Sequence, residues 1–209
     1  MNDVFPLYRD KTLEGFEPGG NTSLERALAV TFDYVQHLKV MKDEGIGLTF
    51  VGENGVGKTH LACCVMGAAK EAGYKIECLD LFTYINLHLE MMRVNGRVQK
   101  YGYEEDGERS LYLDSQVRYI RRAQFLLLDD LGREHESESG WSNEQVFSLL
   151  RYRHMRKLPT LITTNIPNEN DKIDMDLKRR YSEGLSSWVR EATIIIKMEG
   201  EDYRCGMVR

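Results

Sequence analysis

An α/β fold built on a parallel sheet is what this sequence predicts, and three observations predict it. Five short runs rich in Val, Ile, Leu, Phe and Thr read as buried strands, at 47–52, 75–81, 125–131, 160–165 and 192–199. Segments of helical periodicity separate them, the alternation that covers a parallel sheet on both faces. The first strand runs straight into Gly52-Glu-Asn-Gly-Val-Gly57-Lys58-Thr59, which completes the pattern G-x-x-x-x-G-K-[ST]. A chain of 209 residues is long enough to bury the core of one such domain.

Along the chain, the first twenty residues carry Pro6, Pro18, Gly19 and Gly20 and are expected to form an extended arm, with one domain over 21–209. Thr22-Ser-Leu-Glu25 has the form of a capping box, in which hydroxyl and carboxylate satisfy orphan N–H groups. Behind it Leu24, Leu28, Phe32, Val35 and Leu38 recur on one helical face. A second helix leaves the glycine loop with Leu61, Val65, Ala68 and Ala72, and Gly73 is placed to stop it. Residues 91–119 are polar and irregular and are expected to be a surface insertion of loop and helix. Ser142-Asn-Glu-Gln145 is a second capping box, leading into Val146, Leu149 and Leu150.

The apolar fraction of 42% and charged fraction of 29% are ordinary for a soluble globular chain. No apolar run approaches the ~18 residues that span a bilayer, so no membrane partner is expected. The N-terminus MNDVFPLYRDK has no signal-peptide core. Cys63, Cys64, Cys78 and Cys205 form no C-x-x-C pair, which points to reduced cytoplasmic thiols, not to a zinc site or disulfides. A net charge of −5 tells against wholesale coating by nucleic acid but allows a local basic groove.

The chemistry concentrates at three strand tips. Gly52, Gly55 and Gly57 let the backbone curl so that N–H groups, with those of Asn54 and Val56, converge on phosphate oxygens ahead of a helix N-terminus. Lys58 would reach the β- and γ-phosphates of ATP, and the Thr59 hydroxyl would ligate Mg²⁺; His60 is the next residue along the helix. Phe125-Leu-Leu-Leu-Asp129-Asp130-Leu-Gly132 ends a buried strand in two carboxylates. Asp129 is placed to orient the Mg²⁺ shell and Asp130 to polarise the attacking water. Thr160-Leu-Ile-Thr-Thr-Asn165 ends a third strand in an amide that either contacts the γ-phosphate and lytic water or only caps the turn into Ile166-Pro167. Basic residues cluster at Arg118, Arg121 and Arg122 and at Arg151, Arg153, Arg156 and Lys157, either as solvated helix flanks or as contacts to single-stranded DNA. Tyr101, Tyr103 and Tyr112 could stack bases, though their spacing is irregular.

Taken together, GENGVGKTHLA, LLLDDLG, LLRYRHMRKLPTLITTN and the closing EGEDYR resemble the AAA+ ATPase domain of the DnaC/DnaI-type bacterial helicase loaders, over nearly the whole chain. The resemblance implies a five-stranded sheet of order 5-1-4-3-2 with little or no C-terminal lid. It implies an Mg²⁺-dependent ATPase that cycles between ATP and ADP and places a ring-shaped hexameric replicative helicase on single-stranded DNA. Such a protein could form homo-oligomers with nucleotide. By the same likeness DDLG holds the Walker B acids, TTN carries the sensor Asn165, Phe16 lies near adenine, and Arg153 has an intersubunit or DNA role. Two departures stand out. By the resemblance these residues are expected to be the ATPase core alone, without the helicase-binding N-terminal domain usual in this family. Where the family commonly reads E-R-I-x-S-R-L, this chain has Glu183-Gly-Leu-Ser-Ser-Trp188-Val-Arg190, with Gly184 and Trp188 at the expected arginines. Arg190, Arg179 and Arg180 are the available substitutes for an arginine finger, a group worth about 10³–10⁵ in rate.

Two further readings share this core. One is an IstB-like transposition helper that binds duplex DNA. The other, motivated by Gly184 and Trp188, is a nucleotide-dependent regulatory switch with weak turnover. A metabolic kinase fits least, because no acceptor-binding lid is evident.

Overall fold

The computed structural model describes residues 4–101, 104–132, 140–165, 177 and 181–203. Five strands, β1 (Gly47–Gly52), β2 (Ile76–Asp80), β3 (Phe125–Leu131), β4 (Thr160–Thr164) and β5 (Thr193–Met198), form one sheet. All neighbours are parallel, in the order β2-β3-β4-β1-β5, which is the expected 5-1-4-3-2. The helices are α1 (Thr22–Gln36), α2 (Leu38–Glu44), α3 (Lys58–Glu71), α4 (Leu81–Tyr101), α5 (Glu104–Arg122), α6 (Trp141–His154) and α7 (Glu183–Ala192). Among the described residues no helix is long and apolar enough to cross a membrane.

Strand residues alternate between two cores because successive side chains leave opposite faces of the sheet. Phe125 and Leu127 join Leu48, Phe50 and Leu161 under α1 and α3. Leu126 and Leu128 join Ile162 beneath the buried residues of α6 and α7, with Tyr84 and Ile85 of α4. Strands β1, β3 and β4 are buried almost throughout, which is why those runs were legible.

Four expectations need correction. The N-terminal segment is not simply extended: it makes a 3-10 turn at Pro6–Tyr8 and buries Val4, Leu13 and Phe16 in the first core. The cap of α1 is Asn21, whose side chain accepts from the N–H groups of Ser23 (2.9 Å) and Leu24 (3.2 Å), so Thr22 is already helical. The stripe of α1 that is fully buried runs Leu24, Ala27, Thr31 and Tyr34, with Leu28, Phe32 and Val35 on its flank and Leu38 in the next helix. Helix α6 starts at Trp141 after Gly140, which stands at φ 66 and offers no side chain, so Ser142 lies in the first turn and does not cap it.

The largest difference is at 81–122, where the expected irregular insertion is a pair of long helices, α4 and α5. Polar side chains hold much of this pair. Arg97 grips Asp106 through Nε (3.2 Å to each oxygen) and Nη2 (2.8 Å), Arg109 meets Glu90 at 2.6 Å, and Ser110 Oγ donates to Asn95 Oδ1 at 2.5 Å. On α5 only Leu113, Val117 and Ile120 are buried, so the apolar period is too sparse to advertise the helix.

Candidate nucleotide site

The loop from β1 to α3 is shaped by glycines that a side chain could not replace. Gly57 caps α3 at φ 97, and a Cβ there would lie 2.5 Å from Phe16 Cε2. Gly55, at φ 78, lies against Asp202, whose carboxylate an added Cβ would overlap. Val56 is fully buried between them and anchors the loop from below.

Lys58 opens α3 and is 5% exposed, with Nζ donating to the carbonyls of Gly52 (2.9 Å) and Glu53 (2.5 Å). The ammonium is therefore held within the loop's own backbone. Thr59 Oγ1 donates to Asp129 Oδ1 at 3.0 Å, bringing the first turn of α3 to the end of β3. From β4, Thr163 Oγ1 donates to the same oxygen at 2.5 Å and accepts the Asp130 N–H at 2.9 Å. Burial holds the Asp129 carboxyl above its ordinary range, and the hydrogen bonds from Thr163 and Thr59 offset this only in part. Asp130 stands at φ 58, where the β3–β4 register shifts between Leu128 and Leu131. A bulge of this kind re-aims a side chain at the end of a strand.

Asn165 lies just past β4, and its Nδ2 donates to Asn54 Oδ1 at 2.9 Å. Its own Oδ1 is buried and has no hydrogen-bond partner among the described residues. The structure thus brings Asn54, Lys58, Thr59, Asp129, Asp130 and Asn165 to one end of the sheet, the carboxyl ends of β1, β3 and β4, where α/β sheets bind ligands. Thr59 and Asp129 are hard oxygen donors side by side, a set that fits Mg²⁺ with its preference for one or two protein oxygens beside phosphate.

Two segments distant in sequence flank the loop. Phe16 sits edge-on to His60 at 5.3 Å, and His60 Nε2 is 3.4 Å from the Thr12 carbonyl; burial holds the His60 pKa below its usual value. Beyond β5, the Tyr203 N–H donates to the Gly55 carbonyl (3.3 Å) and its hydroxyl to the Glu17 carbonyl (2.8 Å). The tyrosine of EDYR thus bridges the phosphate loop and the N-terminal segment. Sequence reasoning missed both this bridge and Thr163; the only signal for the latter was a threonine two places before Asn165.

The expected trans elements fare differently. Gly184 faces α6 closely, since an added Cβ would lie 3.1 Å from Phe147 Cε2. Trp188 is 7% exposed, edge-on to His154 at 6.0 Å, and its Nε1 has no hydrogen-bond partner among the described residues. The two positions line a groove of about 250 Å³ between α6 and α7, with Arg151 and His154 on its other wall. Arg190 is exposed in the last turn of α7, whereas Arg179 and Arg180 lie outside the described residues.

The basic cluster also divides. Arg153 is fully buried, so the expected contact with DNA or a neighbouring subunit is corrected to a structural one. Its guanidinium donates to Thr160 Oγ1 and to the carbonyls of Ile120, Arg121, Ala123 and Pro159. Those of Ile120 and Arg121 belong to the last turn of α5, where carbonyls have no intrahelical partner. Arg151, Arg156 and Lys157 are exposed; Arg156 and Arg121 stack on Tyr152 at 3.9 and 4.3 Å, and Lys157 reaches Glu44 at 3.4 Å. Tyr112 is exposed, with Arg109 at 5.3 Å from its ring, and the side chains of Tyr101 and Tyr103 lie outside the described residues.

No family model matches the chain. The crystal structure of the DnaC helicase loader is similar at TM-score 0.72 and 27% identity, covering 93% of this chain and 99% of that one. That of DnaI aligns at TM-score 0.65 and 17% identity over 92% and 90% of the two chains, a likeness of fold. AMPPCP-bound DnaA from Aquifex aeolicus shares the fold at TM-score 0.60 and 17% identity, over 95% of this chain and 52% of that one. In sequence, a protein of insertion sequence IS232 from Bacillus thuringiensis subsp. berliner, named for ATP binding, is 26% identical over 161 residues, 75% of this chain. The chain spans 55% of that relative's length. The chain thus has the AAA+ P-loop fold, and its resemblance is to the ATPase domain of the DnaC/DnaI-type helicase loaders.

Proposed function

We propose that this chain binds Mg²⁺–ATP at the ends of β1, β3 and β4 and hydrolyses it as a helicase-loader-type ATPase, placing a ring-shaped replicative helicase on single-stranded DNA. The observation that carries the reading is the meeting of Thr59 and Asp129 at 3.0 Å, supported by likeness to the DnaC loader over nearly the whole chain.

The residues divide the work. Backbone N–H groups of the glycine loop and the N-terminus of α3 bind the phosphates. Lys58 exchanges its carbonyl contacts for the β- and γ-phosphate oxygens and neutralises charge that builds there in the transition state. Thr59 and Asp129 would hold Mg²⁺, which would supply positive charge beside the phosphates. Asp130 accepts a proton from the attacking water, and the Asn165 amide orients that water against the γ-phosphate. With Gly184 and Trp188 at the usual arginine positions, turnover by the isolated chain is slow.

The likeness to an insertion-sequence protein favours a second reading, a transposition helper acting on duplex DNA. One set of experiments separates the two. ATPase rates are measured with and without single-stranded DNA and a candidate replicative helicase, for wild type and Lys58→Ala, together with helicase pulldown. A loader shows nucleotide-dependent helicase capture and turnover that vanishes in Lys58→Ala. Absence of association under every nucleotide state rejects the loader reading, and ATP-dependent filaments on duplex DNA under the electron microscope favour the helper.

A further inference from the structure

We infer that Thr163 is a positioning residue for ATP hydrolysis, setting the directions of both acidic side chains at the end of β3 through a single hydroxyl. The inference rests on the ATPase reading above.

Thr163 is fully buried on β4, so its hydroxyl is not there to meet solvent. A hydroxyl has one proton to give and two lone pairs to receive. The Asp130 N–H at 2.9 Å can only donate, so it takes a lone pair. The hydroxyl proton is then directed to Asp129 Oδ1, 2.5 Å away. With Asp129 ionised, the polarity of the chain from Asp130 N–H through Thr163 to Asp129 is fixed by which groups can donate and which can accept.

Two consequences follow at the site. Asp129 Oδ1 receives two hydroxyls, Thr59 from the phosphate loop and Thr163 from β4, so the carboxylate is steered from two elements at once. Asp130 is a non-glycine residue at φ 58, in the left-handed region that L-residues seldom adopt. The N–H bond to Thr163 helps hold it there, in the bulge that sends the Asp130 side chain away from the regular strand direction. The other threonines of β4 do different work. Thr164 Oγ1 donates to the Leu131 carbonyl at 2.7 Å, and Thr160 Oγ1 accepts from Arg153 at 2.9 Å.

The test compares Thr163→Val, which keeps the shape and removes the hydroxyl, with Thr163→Ser, which keeps the hydroxyl and removes a methyl. Fluorescent mant-ATP binding without Mg²⁺ is expected to change by less than about threefold in either, since neither touches the phosphate cradle. For Thr163→Val, kcat is expected to fall about 10²-fold with KM little changed, and Thr163→Ser to restore most of it. A second readout needs neither metal nor turnover. Residue-resolved amide exchange in the nucleotide-free protein should show the Asp130 N–H at least about tenfold less protected in Thr163→Val, with Leu128 unchanged.

Unchanged Asp130 exchange in Thr163→Val overturns the inference whatever the turnover does. So does a loss of kcat that Thr163→Ser fails to restore while both variants lose the same thermal stability, since that is packing alone. If instead wild type shows no hydrolysis that Lys58→Ala abolishes, the ATPase reading fails, and the role in catalysis falls with it even where the exchange result shows the clamp.

Discussion

The Asn165 amide donates to Asn54 Oδ1 at 2.9 Å, which ties the tip of β4 to the phosphate loop. The loop and Asn165 are therefore one hydrogen-bonded unit. In steady-state ATPase assays, Asn165→Ala is expected to lose about 10²-fold in kcat, as for removal of one polar group that acts in the transition state. Asn54→Ala should lose about tenfold by freeing the Asn165 side chain, and the double variant should be no worse than Asn165→Ala alone. Additive losses would show that the two amides act separately.

Arg153 bridges α5, α6 and the start of β4 from a fully buried position. Burial lowers its pKa to about 9, so the guanidinium is still charged at neutral pH. Removing it would strand several buried carbonyls, each costing about 1–3 kcal/mol when unpaired, though not additively. Arg153→Met is therefore expected to lose about 3 kcal/mol or more in urea unfolding, and Arg153→Lys to recover little because an ammonium cannot reproduce the planar fork. Arg156→Ala, by contrast, should leave stability within about 0.5 kcal/mol and weaken any binding to single-stranded DNA.

On α7, Trp188, at one of the positions where an arginine was expected, is a buried packing residue. Trp188→Ala is expected to cost about 3–5 kcal/mol in stability through the cavity it leaves. If a cation of this helix acts across a subunit boundary, Arg190 is placed for it, in the exposed last turn. Complementation tests this directly. Lys58→Ala and Arg190→Ala should each be inactive alone, and mixing them should restore turnover, because one supplies an intact site and the other an intact arginine. Full activity of Arg190→Ala at every protein concentration would exclude that role.

His88 is packed against Tyr84 at 4.7 Å and lies 6.4 Å from Trp141, with its Nε2 buried and without a hydrogen-bond partner among the described residues. Burial first, and the Arg121 charge second, hold its pKa below the ordinary histidine value. The unfolded chain therefore takes up a proton at a higher pH than the folded chain. Stability is complete above the unfolded pKa of about 6.5 and is lost as pH falls through the folded value. His88→Phe should show a smaller drop in melting temperature between pH 7 and pH 5 than wild type. An equal drop in both would assign the acid sensitivity elsewhere.

Strands and loop were legible because the features that specify them are local. A buried parallel strand must be apolar on both sides, so 125–131 could be read directly, and the glycine loop has little sequence freedom. Asp129 and Asp130 were legible for the same reason, at the polar end of an apolar run. What escaped the sequence depends on contacts between distant segments. Arg153 looked like a surface cation because its carbonyl partners come from backbone, which no side-chain pattern announces. Helices α4 and α5 hid because charge pairs such as Arg97 with Asp106 do much of the joining. Asn21 displaced Thr22 as a cap because its amide also reaches the Glu199 carbonyl at 2.9 Å, a contact 178 residues away along the chain.

That β1 lies inside the sheet also bears on how the protein is made. Leu48 pairs with Leu161 on one side and Ile194 on the other, both emerging long after it from the ribosome. The strand that leads into the phosphate loop therefore waits for its neighbours, and pairing of such separation is slow to form. Nucleotide affinity is then a property of the finished molecule, and ATP added during refolding should draw the chain toward completion by mass action without guiding the early steps.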